Sequence, residues 1–148
     1  GTIEGLGLLD IESSFSRDGK IVTQSVATVP DDLEGIAGEM FKDIAGEEVS
    51  GYEIHEGTSE LLDSTPLLNI CKGQGNNDEG KIDGASNGNT FATYFHGIFH
   101  NYNFRREFLN YIRVKKGLDA KYGEDPYETQ KDYSLKLYKF RNCLLCFK

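Results

Sequence analysis

The stretch TFATYFHGIFHNYN, residues Thr90 to Asn103, decides how this chain is read. Its apolar, aromatic part, with Phe91, Tyr94 and Phe95, reads as a buried strand, because aromatic and β-branched side chains suit a pleated surface. The strand ends at His96-Gly97, and Ile98 and Phe99 lead into a polar helix start. An imidazole placed where a strand meets a glycine is held by a rigid scaffold and faces a loop region, a common setting for catalysis. The same histidine also has a plain reading, a hydrogen-bonded member of the core. This stretch alone does not decide between the two.

Upstream of it, Asn87-Gly88 predicts a hairpin turn into the Phe91–His96 strand, and residues 81–87 predict a strand interrupted at Gly84. Residues 73–80 are a loop by composition, and residues 66–72 a short apolar strand. VSGYEIHEGT, residues 49–58, is strand-like and densely polar. Period two puts Tyr52, Ile54 and Glu56 on one face and Glu53 and His55 on the other. Glu53 and His55 form either an acid–base pair or an exposed set of cross-strand neighbours, and spacing alone favours the solvated set. KIVTQSVATV, residues 20–29, alternates as a strand does and is closed by Pro30-Asp31-Asp32. Residues 31–47 are acidic and interrupted by glycine, with a short helical turn expected from Glu39 to Ile44. At the front, Gly5-Leu6-Gly7-Leu8-Leu9-Asp10 is an apolar segment whose two glycines do not continue into a phosphate-binding loop.

Downstream, Asn101 or Asn103 can cap a helix whose apolar positions Phe104, Phe108, Tyr111 and Ile112 recur at helical spacing. Arg113, Lys115 and Lys116 suit its C-terminal dipole, and Gly117 stops it. A last helix is predicted from Tyr127 to about Cys143. Some five strands before two helices read as the later half of an α/β fold, with a mixed sheet of hairpin-linked strands.

Composition narrows the function. With 148 residues, 38% hydrophobic and 27% charged, the chain fits one globular domain. A net charge of −8 argues against a nucleic-acid or anionic-membrane partner. No apolar run approaches the ~20 residues of a membrane-spanning helix, and Gly1-Thr2-Ile3-Glu4 carries no basic leader, so a cytoplasmic location is expected. Three cysteines make no disulfide framework. Cys143 and Cys146 form a C-x-x-C in an apolar tail without a second ligand pair, and Cys71 closes an apolar strand. A zinc site from His55, His96 and His100 lacks an H-E-x-x-H pattern, and no metal is expected.

Six segments together resemble a known family. In order they are residues 5–12 (GLGLLDIE), 51–57 (GYEIHEG), 83–85 (DGA), 93–99 (TYFHGIF), Phe104-Arg105 and Lys116-Gly117-Leu118. Each is weak singly, but the ordered set over residues 1–118 resembles the C-terminal part of the class I glutamine amidotransferase domain of cobyric acid synthases. GYEIH favours these over two sister amidotransferases, the cobyrinate a,c-diamide synthases and the glutaminases that amidate peptidoglycan precursors. The resemblance implies a flavodoxin-like α/β domain in residues 1–118, followed by a helical extension in 119–148.

It also implies a glutaminase acting with a cysteine and a histidine, the latter falling on His96. A neutral imidazole can take the thiol proton and return it to the leaving ammonia. The family's cysteine lies in a Cys-Gly-Gly elbow before the Gly5–Asp10 segment, and nothing here supplies it. The chain is therefore expected to be a fragment, inactive alone. Many class I amidotransferases carry glutamate two residues after the histidine; here Ile98 stands there, as the resembled family has it. Glu53 is the candidate orienting carboxylate by chemistry, with Tyr52, His55 and Tyr94 as candidates for binding substrate. His100 stands where the family usually has aspartate. Implied partners are L-glutamine and, through a synthetase domain absent from this chain, a corrinoid substrate, with ATP and Mg2+ used in that domain. An oligomer is compatible with this reading, since unpaired strand edges favour self-association. A non-catalytic docking module is the alternative from another class.

Overall fold

The structure, a computed structural model, describes residues 1–15 and 19–126. The predicted helix from Tyr127 and the Cys143/Cys146 pair lie outside the described residues, as does most of the predicted 119–148 extension.

The main sheet is built on β2 (Lys20–Thr28), whose alternating sequence lets one face be buried and the other wetted. On one side it pairs with β3 (Glu48–Glu56) along its whole length, from Lys20 opposite Glu56 to Thr28 opposite Glu48. On the other side lies β5 (Leu68–Lys72), with an irregularity between Val26 and Ala27. Two short strands, β6 (Ile82–Asp83) and β9 (Phe95–His96), complete the order β6-β5-β2-β3-β9, each pairing antiparallel.

Two helices, α1 (Gly35–Phe41) and α2 (Tyr102–Lys115), close the core. Ala27, Val49, Leu68 and Phe95 from the sheet, with Val29 just past the end of β2, meet Met40, Phe41 and Phe104 from the helices. Phe41 and Phe104 stack at 4.2 Å, and burial of each such ring contributes on the order of 1.5–3 kcal/mol. The α2 helix ends as its sequence predicts. Gly117 adopts φ 71°, its N–H bonds Val114 O at 2.9 Å, and Leu118 N bonds Arg113 O at 2.9 Å. Asn101 does hold the N-cap position, but its carboxamide bonds Ser50 N at 2.9 Å and Ser50 O at 2.8 Å. It fastens the helix to β3 instead of capping it.

Three expectations about element bounds are corrected. The turn expected at Glu39–Ile44 begins at Gly35 and ends in a 3-10 turn, Lys42–Ile44. Glu34, at its N-cap, makes no capping bond, so the usual start signal is missing. The strand expected over residues 49–58 ends at Glu56, and β4 (Thr58–Leu61) pairs with β1 (Ile11–Ser14). Gly57, at φ 80°, makes that break, and a Cβ there would lie 2.0 Å from Ser14 O. The single strand expected over Phe91–His96 is two strands. Its first part, β8 (Thr90–Ala92), forms a ribbon with β7 (Ala85–Asn87), while its end, β9, joins the main sheet. Between them the Asp83 carboxylate accepts bonds from the Thr93 hydroxyl and from Tyr94 N, which takes the Tyr94 N–H out of any ladder.

Candidate active site

Strand β3 divides the predicted site residues between its two faces. Tyr52 and Ile54 point outward and are exposed, whereas Glu53 and His55 point inward and are buried. Across the β3–β9 pairing, His96 sits opposite Tyr52 and Phe95 opposite Glu53. Directly paired residues share a face, so His96 belongs with Tyr52 on the outer side. The close approach of β9 requires Gly51, where a Cβ would lie 2.9 Å from His96 O and 3.1 Å from Phe95 Cβ. Gly97, at φ 77°, then turns the chain immediately behind the histidine.

His96 borders an open cleft of about 260 Å³, lined also by Gln24, Tyr52, Lys72 and His100. Its side chain is exposed, which excludes the core reading. Among the described residues its ring makes no hydrogen bond, so either ring nitrogen is available to exchange a proton with a ligand. The Tyr52 hydroxyl accepts a bond from Gln24 Nε2 at 3.0 Å on the cleft wall.

The inner face carries a polar network, in which His55 Nδ1 and Ser25 Oγ are buried without a hydrogen-bond partner among the described residues. Glu53 is 0% exposed, and its carboxylate accepts bonds from Gly75 N at 2.7 Å and Gln74 N at 3.2 Å, with His55 Nε2 at 3.4 Å. The loop of residues 73–80 forms this cradle. Gly73 lets the backbone pass where a Cβ would stand 2.3 Å from Glu53 Oε1, and Gly75, at φ 70°, one that would meet Ile82 O at 2.0 Å. The His55 ring stacks on Tyr94 at 4.0 Å. The Tyr94 hydroxyl shares a 2.7 Å bond with Ser59 Oγ, which shares another of 2.7 Å with Ser13 Oγ. Close by, burial pushes the Asp83 carboxyl up to about 6, and the Glu53 charge adds to this. The bonds from Thr93 and Tyr94 and the proximity of His55 oppose it.

The structure thus brings His96 and Tyr52 together and separates them from Glu53, His55 and Tyr94. Spacing favoured a solvated Glu53–His55 set; that is overturned, because the 73–80 loop folds over the face these residues share. Glu53 does not orient His96, from which it is separated by the sheet; it holds His55 instead. For the same reason His55, His96 and His100 do not converge on a metal. Sequence reasoning missed the structural weight of Asp83 and of Asn76, whose carboxamide bonds Gly84 O at 2.8 Å and Gly84 N at 2.6 Å. Neither stands out by spacing, and Gly84 at φ 71° was the available signal of a constrained backbone there.

Comparison with known proteins adds to this geometry. Residues 1–104 match the family described as the CobB/CobQ-like glutamine amidotransferase domain. A probable cobyric acid synthase of Methanothermobacter thermautotrophicus is 44% identical over 136 residues, covering 91% of this chain and 26% of that protein. One from Methanosphaera stadtmanae is 50% identical over 118 residues, covering 80% of this chain and 22% of the relative. A cobyric acid synthase of Dehalococcoides mccartyi is 42% identical over 134 residues, covering 88% and 25%. The chain spans about a quarter of the length of these curated relatives.

Proposed function

The chain belongs to the CobB/CobQ-like glutamine amidotransferase family, and from that premise we propose that it is the histidine-bearing part of a glutamine-hydrolysing domain, with His96 as general base and acid. The observation that carries this is the placement of His96. It is an exposed imidazole without a protein partner among the described residues, fixed at the end of β9 over an open cleft. The His96 ring takes the proton of a cysteine thiol as sulfur attacks the glutamine carboxamide carbon. It then passes that proton to the departing nitrogen, which leaves as ammonia. Among the described residues Cys71, on β5, is not one of the groups lining the cleft, and the thiol is assigned to the part of the family's domain that carries the Cys-Gly-Gly elbow. Tyr52 is assigned to contact with the substrate, supported by its pairing opposite His96 and its place in the lining of the same cleft.

The ammonia serves an ATP-dependent synthetase that amidates side-chain carboxylates of adenosylcobyrinate a,c-diamide in cobalamin synthesis. Support for this acceptor, over those of the sister amidotransferases, comes from relatives named as cobyric acid synthases. The glycine-rich 73–80 loop spends its Gln74 and Gly75 N–H groups on Glu53 and does not offer them to a phosphate; ATP and magnesium are assigned to the synthetase domain.

A docking role alone is the second reading. Ile3 and Leu6, each 90% exposed, and Phe15, 83% exposed, favour it, because they await a covering surface. Glutamine hydrolysis by the full-length protein separates the two. If His96→Ala removes most of the ammonia release, the catalytic reading holds; if the rate is unchanged, docking takes its place.

A further inference from the structure

We propose that Asp83 is the positioning residue that aims His96, by pinning the break between β8 and β9. This rests on the role given to His96 above. Two residues before His96 the chain must leave the β7–β8 ribbon and enter the main sheet opposite Tyr52. The Asp83 carboxylate, held on β6, accepts the Thr93 hydroxyl on one oxygen and Tyr94 N at 3.2 Å on the other. Thr93 Oγ1 in turn accepts Phe95 N at 3.0 Å. One buried carboxylate thereby fixes three consecutive residues, and the next one is His96.

The arrangement is rigid on its far side as well. Asp83 is 0% exposed, β6 pairs with β5 through Leu68 opposite Asp83, and Gly84 is locked by both ends of the Asn76 carboxamide. Charged or titratable groups from neighbouring elements are Glu53 and His55 of β3 and the Tyr94 phenol. Burying a carboxylate beside Glu53 is costly for stability alone, and the group it organises is the turn into the proposed catalytic histidine.

Kinetics of ammonia release from glutamine by the full-length protein test this, comparing wild type, Asp83→Asn, Thr93→Val, Thr93→Ser and His96→Ala. Misplacing a catalytic group by a fraction of an ångström lowers turnover more than binding. Asp83→Asn and Thr93→Val are therefore expected to lower kcat about 10- to 100-fold with the glutamine KM within about two-fold. Thr93→Ser, which keeps the hydroxyl, recovers most of that loss. If His96→Ala is inactive while Asp83→Asn and Thr93→Val keep wild-type kcat, the positioning role is overturned and the role of His96 stands. Should Asp83→Asn fail to fold, the Val–Ser contrast at Thr93 decides.

The His96 ring resonances, followed by histidine labelling in the same proteins, give a readout independent of activity. They shift in Thr93→Val and return in Thr93→Ser. An unshifted ring in Thr93→Val overturns the proposal even if the wild type itself releases no ammonia, the result that would instead remove the reading of His96.

Discussion

The two faces of β3 carry two histidines in opposite circumstances. His55 is buried, stacked on Tyr94 and held by Glu53, within a network that extends to Asp83 and Ser59. His96 is exposed on the other side, beside Tyr52, at the edge of a cleft. A fixed imidazole with a carboxylate partner stabilises a fold, while one open to a cleft can exchange protons with a ligand. The difference teaches that the richer polar cluster is the frame, while the proposed site lies on the sparer face.

The largest effect expected is on the outer face. General acid–base groups contribute about 100- to 10,000-fold in rate, so His96→Ala should lower ammonia release in the full-length protein by about 1,000-fold, roughly 4 kcal/mol. An exposed side chain without partners holds little stability, and the unfolding free energy should move by less than about 0.5 kcal/mol. A large loss of stability measured by denaturant titration would place His96 with the frame and break the contrast.

On the inner face the ranking reverses. Glu53→Ala leaves Gln74 N, Gly75 N and His55 without their shared acceptor. Removing one member of a buried charged cluster costs about 3–5 kcal/mol, so the midpoint of denaturant unfolding should fall sharply. Glu53→Gln keeps an acceptor oxygen and should cost less. If Glu53→Ala unfolds at the wild-type midpoint, the network is not the frame.

Much of this contrast is legible in the sequence, though not its assignment. Alternation along residues 49–58 correctly put Tyr52 and Glu53 on opposite faces, since side-chain period along a strand is a backbone property. Which face is buried depends on the 73–80 loop, and its fold over Glu53 follows from steric room at Gly73 and Gly75 that no periodicity reports. The α2 helix was legible because its apolar stripe and its Gly117 stop are local. The break at Thr93 was not, because it is made by Asp83, ten residues away on another strand. His96 was singled out as a candidate by its strand-to-glycine setting and by family resemblance. Its lack of tie to Glu53 emerged only from the strand register.

Acidity sharpens the comparison further. Asp83 titrates at about 6 in the folded protein, against its ordinary 3.8, chiefly because burial disfavours the charged form. Between those values the folded state holds more proton than the unfolded one, so stability falls as pH rises from about 4 to about 6. The contribution is fully present below the unfolded value, is lost through the folded one, and amounts to about 3 kcal/mol. Asp83→Asn has no such slope. Relative to this variant, the wild type should therefore lose roughly 2 kcal/mol between pH 4 and pH 7, measured by denaturant unfolding at each pH. A difference independent of pH would mean that the carboxylate is not buried as a charge.

The smallest effect compares one chemical change on the two sides of the same strand. Tyr94→Phe removes a hydroxyl whose 2.7 Å bond to Ser59 Oγ is partly buried, and a lost bond of that kind costs about 1 kcal/mol. Tyr52→Phe removes one whose 3.0 Å bond to Gln24 Nε2 is exposed, where water replaces it, so stability should change by less than about 0.5 kcal/mol. Their kinetic effects should run the other way. Tyr52 borders the cleft with His96, and loss of its hydroxyl should raise the glutamine KM several-fold, whereas Tyr94→Phe should leave it near the wild-type value. If both substitutions change stability alike and neither changes KM, Tyr52 is a bystander on the cleft wall. The outer face then narrows to His96 and the cleft's other polar groups, Lys72 and Gln24 first among them, as the ones to test for holding glutamine.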